Sequence, residues 1–296
     1  MITHHTMLKH HLQVLLATVL VAGSFISAEF LAPYSNPIAL TLLRFILAAA
    51  LLAPFALYKK EDRAQFIKTL PRASIISLFY SLFFILMFEA LKTTSSLNVS
   101  TLYTLIPFIT GLLCIFVFKQ KMTLQVSAIY LMGALATCWV VFQGDIQLIK
   151  SFRLNTGDIL FLQACLSMCC YSMAMKLLYR NDNKWLLVFC TLLSGAIWMF
   201  VALMIMGKPL DWQQLDLPAY YHMAYLVIGT TIVTVYLYQT ATVALGPKKV
   251  MAYVYLSPAI VAGLGYLIND VSLNPIIIPG ILISCTATLL LQKNAS

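Results

Sequence analysis

Three ionisable side chains, Glu29, Arg44 and Glu89, stand inside stretches that are otherwise apolar. A charge among apolar neighbours is costly unless it is paired or faces a water-filled space, so each is a candidate binding or gating group. Two readings are open. In one, the three residues cluster at the mouth of a cavity and hold a zwitterionic or cationic solute, or a proton. In the other, Glu29 and Arg44 form a structural ion pair, and Glu89 holds Lys92 three residues on. Tyr80, Tyr103, Tyr171, Tyr238, Tyr253 and Tyr255 also fall in apolar runs. Their hydroxyls need partners where water is scarce, which favours an inward face. A wall of such rings suits an amino acid, a nucleoside-like solute or an organic cation, while packing is the plainer role for each ring taken singly. Pro107 and Pro258 each interrupt an apolar run. A proline removes one backbone hydrogen bond and crowds the carbonyl four residues earlier, here Tyr103 and Val254, so both are candidate hinges.

The elements that position these groups follow from composition. Of 296 residues, 61% are hydrophobic and 10% charged, and the mean hydropathy is +0.89. Soluble domains are less apolar and far more charged, and disordered chains need the opposite bias. The composition therefore reads as an all-α polytopic membrane protein. Apolar runs of spanning length cover 12–32, 38–58, 73–92, 97–118, 124–142, 157–178, 185–206, 219–243, 248–268 and 275–291. That predicts ten transmembrane helices, since lipid offers no partner to backbone left outside a helix. Pro33, Pro37, Pro71, Pro209, Pro218, Gly246–Pro247 and Pro275 mark the expected breaks. Lys9 and the small residues Ser24, Ser27 and Ala28 imitate a secretion signal, but apolar character runs on through Leu31, so this span is expected to be retained.

With the N-terminus in the cytoplasm, only Lys92, Lys150, Arg153 and Lys208 fall outside, and the remaining lysines and arginines except Arg44 fall inside. This bias predicts a multi-pass inner-membrane protein with both termini cytoplasmic. The net charge of +9 forms no nucleic-acid stripe. The seven cysteines lie in apolar runs with no metal spacing or disulfide framework. The histidines His4, His5, His10 and His11 read as a cytoplasmic tail. No nucleotide-binding glycine loop is present, and no cofactor or metal site is expected.

The two halves align at a fixed offset: Ala90 with Ala241, Pro107 with Pro258 and Thr137 with Thr288, each 151 residues apart. An odd number of helices per half would insert the second half upside down, the inverted-repeat signature of alternating-access carriers. Arg44 in Leu42-Leu43-Arg44-Phe45, the stretch Phe88-Glu89-Ala90-Leu91-Lys92-Thr93, and Leu105-Ile106-Pro107-Phe108-Ile109 resemble the first half of an EamA-family protein. Tyr238-Gln239-Thr240-Ala241 and Tyr255-Leu256-Ser257-Pro258 resemble the matching part of the second half. Lys119 replaces an acidic residue the family often carries, and Gly23-Ser24-Phe25 stands where a tryptophan is common.

The resemblance implies membership of the drug/metabolite transporter superfamily and two inverted five-helix repeats. The expected organisation is a tail at 1–11, repeats at 12–145 and 157–291, a connecting loop at 146–156 and a tail at 292–296. It further implies a secondary transporter of a small metabolite, amino-acid-like in preference, working by alternating access, with export as the favoured direction. The partners are then the solute, the bilayer and, as one alternative, a coupling proton. An integral-membrane enzyme and a non-transporting scaffold are the rival readings. The enzyme reading is weakened because no Asp, His and Ser groups converge in the sequence and His222 stands alone.

Overall fold

The computed structural model describes residues 4–31, 33–94, 99, 102–120, 123–151, 154–269 and 275–294. Among the described residues the chain is helical throughout, with no strand. In chain order the long helices are α1 (His4–Leu31), α2 (Pro37–Ala56), α3 (Lys60–Ala90), α4 (Ile106–Phe118) and α5 (Leu124–Val141). They continue with α6 (Thr156–Leu178), α7 (Lys184–Met206), α8 (Leu217–Leu245), α9 (Ser257–Asn269) and α10 (Ile278–Asn294). Seven described helical segments are long and apolar enough to cross a membrane, namely α2, α3, α5, α6, α7, α8 and Pro275–Lys293, which contains most of α10.

The helix ends follow from local chemistry. The Asn36, Thr123, Asn183 and Asp216 side chains each accept a first-turn backbone N–H, at the starts of α2, α5, α7 and α8. At α6, Asn155 and Asp158 cap each other reciprocally. Gly207 closes α7 at φ 60°, a left-handed conformation that favours glycine. Several boundaries differ from the hydropathy reading. Helix α1 extends back to His4, and α3 begins at Lys60, well before its apolar run. The expected connecting loop contains a short helix, Ile146–Ser151. Pro71 does not break the chain but lies inside α3. The carbonyl it leaves unbonded belongs to Ile67, a strongly exposed residue where solvent or headgroups can take up the bond.

Packing is dominated by contacts between the two halves. Helix α3 lies against α6 and α7, α2 against α7, α5 against α10, α1 against α8 and α9, and α4 against α6. When α1–α5 are paired in order with α6–α10, the α1–α8 contact exchanges with α6–α3 and the α1–α9 contact with α6–α4. The α2–α7 and α5–α10 contacts map onto themselves. Small residues permit the close approaches, as expected where lipid supplies little hydrophobic drive. A Cβ on Gly133 of α5 would lie 2.5 Å from the Tyr255 ring, and one on Gly195 of α7 would lie 3.0 Å from Phe45. The outer surface is apolar, with Phe116 78% and Ile205 80% exposed. Such faces belong in hydrocarbon.

Candidate functional site

Helices α4 and α9 are both interrupted immediately before their prolines. Residues 104 and 105 form a turn, Leu105 N–H bonds Leu102 O at 3.0 Å, and α4 proper starts at Ile106 with Pro107 in its first turn. In the second half, the short helix Pro247–Met251 passes into a 3₁₀ stretch, Ala252–Leu256, before α9 begins with Pro258 in the same first-turn position. The 3₁₀ geometry is a local consequence of the proline. Pro258 cannot donate to Val254 O, and the Ser257 N–H takes that carbonyl instead. From α6, the Cys165 and Cys169 thiols donate to Leu102 O and Ile106 O, bracketing the interruption of α4.

Tyr103 sits at the first interruption, with its ring 6.2 Å from Phe83 and 6.5 Å from Phe161. It is partly buried, and so are Arg44 of α2 and Tyr238 of α8. Beside them, Tyr80 of α3 and Tyr171 of α6 stack at 4.9 Å, and Phe84 meets Tyr80 edge-on at 5.1 Å. The hydroxyls of Tyr80, Tyr103, Tyr171 and Tyr238 lie near enough to influence one another electrostatically. The Arg44 guanidinium lies 5.3 Å from the Phe84 ring centroid and 5.9 Å from that of Phe45. The Tyr80 hydroxyl stands beside it as its polar neighbour. Tyr238 meets the Thr18 hydroxyl at 3.3 Å, and Gln239 donates to Thr191 at 3.0 Å.

The structure thus brings together Arg44, Tyr80, Tyr103, Tyr171 and Tyr238 from both halves, offering one cation, several phenol donors and aromatic faces. The other sequence candidates lie elsewhere. Lys92 reaches both carboxylate oxygens of Glu89, the local pairing rather than a cluster with Arg44. Glu29 belongs to α1, but its side chain lies outside the described residues. Tyr253 meets His11 at 3.0 Å, and the fully buried Tyr255 donates to Tyr130 O at 2.8 Å. Sequence reasoning missed Phe84 and Thr18, whose roles depend on tertiary neighbours. It also missed the ion pair of Arg72 with Asp182 at 2.7 Å, which ties α3 to the α6–α7 connection. The charge pattern gave no hint of that pair, because its partners are more than a hundred residues apart.

An all-helical chain with an apolar exterior, several spanning segments and an enclosed polar-aromatic cluster defines a multi-pass membrane protein of transporter type. Residues 8–142 and 155–292 match the EamA-like transporter family, one match for each half, and the chain belongs to that family. It is 23% identical over 221 residues to the uncharacterized transporter YyaM of Bacillus subtilis (strain 168), covering 73% of this chain and 72% of that protein. A crystal structure of another protein shares the fold at TM-score 0.74 and 16% identity, covering 99% of this chain and 97% of that one.

Proposed function

We propose that the protein is a secondary active exporter that moves a small organic metabolite, amino-acid-like compounds included, across the inner membrane by alternating access. In this reading ten spans form two inverted five-helix repeats, 12–145 and 157–291, with both termini cytoplasmic. Arg44, Tyr80, Tyr103, Tyr171 and Tyr238 line the solute path. Pro107 and Pro258 are the hinges, and Tyr253 with His11 belongs to the inner end. The chain acts as a carrier and not as an enzyme.

The observation that carries the reading is the pair of helices interrupted at the same register of the two halves, with an enclosed cluster beside the first interruption. Interrupted helices in corresponding positions are where inverted-repeat transporters place their solute. The exchange of packing partners between the halves supports the same architecture. Family membership supports transport, while the direction of transport rests on the resemblance. Purified protein in liposomes, preloaded with pooled metabolites, is expected to show counterflow of a labelled pool component. No exchange above empty liposomes, with protein that remains monodisperse, refutes the carrier reading. An external pH jump that leaves the exchange rate unchanged removes a coupling proton.

A further inference from the structure

We propose that Arg44 anchors an anionic head group, so that the solute is a small monocarboxylate with an apolar body. This rests on the carrier reading above and names its substrate class. Arg44 is partly buried within the bundle, yet among the described residues no acidic side chain pairs with it. Its Nε is buried without a partner. Its neighbours are the rings of Phe84 and Phe45 and the Tyr80 hydroxyl. A guanidinium among aromatic walls, with no counter-charge among the described residues, is poorly compensated, and contact with ring faces recovers only part of the lost hydration. A carboxylate supplies what is missing, because its two oxygens match the guanidinium fork.

The same surroundings argue for a single negative charge. Arg44 is the one cation among the side chains gathered here, so a phosphate dianion would bring a second charge with no second cation of this cluster to meet it. The remainder of the wall is phenol and phenyl surface, from Tyr80, Tyr103, Tyr171 and Tyr238. That surface accepts an alkyl or aryl body and can place a hydroxyl against the head group.

The test uses full-length protein in nanodiscs and three matched series. These are the carboxylates hexanoate and 3-phenylpropionate, their neutral amides, and the amines of the same length. The carboxylates are expected to raise the melting temperature with dose, while amides and amines have little effect. Arg44→Gln is expected to weaken carboxylate binding about thirty-fold or more, as for loss of one partner of a buried charge pair. Arg44→Lys keeps the charge but loses the fork, and an intermediate affinity is expected. Equal ranking of the three series, no stabilisation by any carboxylate, or unchanged binding in Arg44→Gln overturns the proposal. Should Arg44→Gln not fold, the wild-type ranking and Arg44→Lys decide. Counterflow with the same compounds separates the two readings. Flux of amines but not carboxylates overturns the anchor and leaves the carrier, whereas Arg44-dependent carboxylate binding without flux of any solute does the reverse.

Discussion

Tyr103 and Tyr255 fall one position apart when the two halves are aligned, yet their surroundings give them different work. Tyr103 keeps accessible surface inside the bundle, whereas Tyr255 is fully buried, held by Tyr130 O and pressed onto Gly133. Because that ring is fixed at its hydroxyl and enclosed, it has little room to yield. Gly133→Ala is expected to cost about 1–3 kcal/mol, read as a lower melting temperature of the purified protein. Tyr255→Phe removes the tether, and combined with Gly133→Ala it should cost less than the two changes added. His11 offers a pH readout. Burial, with Lys249 and His10 nearby, lowers its pKa from the ordinary 6.5, and its Nδ1 faces Tyr253. The fold therefore favours neutral His11, while the unfolded chain takes up a proton below pH 6.5. Stability from this contact is present above that pH and is lost as the pH falls below it. His11→Gln should flatten the acid limb of a melting-temperature profile between pH 7 and 5; an unchanged slope would show that other groups set it.

Between elements, the two interrupted helices offer the places where bending is cheapest. Each proline has already given up one hydrogen bond, and the 3₁₀ stretch Ala252–Leu256 shows how the backbone absorbs the loss. Alanine at Pro107 or Pro258 would allow the missing bond to form, favouring a straight helix by about 1 kcal/mol. The double variant is expected to insert normally and to exchange solute roughly tenfold more slowly in proteoliposomes. Wild-type rates in that variant would show that the prolines only shape the bundle. The tie between α3 and the α6–α7 connection is a stability element of another kind. Asp182 accepts from Arg72 and Thr69 and is buried, so Asp182→Ala strands polar groups around it. A loss of about 2–3 kcal/mol is expected, visible in thermal or denaturant melts.

At the scale of the molecule, the contact pattern is that of two similar bodies facing each other through α2–α7 and α5–α10. Single cysteines placed at Lys60 and Lys249 are expected to react only with reagent supplied from the cytoplasmic side, and cysteines at Lys92 and Lys208 only from the opposite side. Labelling of Lys60 and Lys208 positions from one side would break the proposed orientation. The native cysteines sit in apolar runs, and the four that are fully enclosed, Cys114, Cys165, Cys169 and Cys190, should contribute little background.

Hydropathy was enough to show an all-helical membrane chain, because lipid forces apolar length and backbone pairing to be written locally, while several helix bounds and the place of Pro71 were not legible there. Family membership was legible for the same reason, in short runs such as Leu42-Leu43-Arg44-Phe45. What the sequence could not decide was company. Glu89, Arg44 and six tyrosines looked equivalent as polar groups in apolar runs. Only the tertiary structure put Glu89 on Lys92, seated Tyr255 against Gly133, and gathered Arg44 with four tyrosines from both halves. The physical reason is that burial and pairing of a side chain depend on which helix faces it. That is fixed by packing between distant segments and leaves no trace in local spacing.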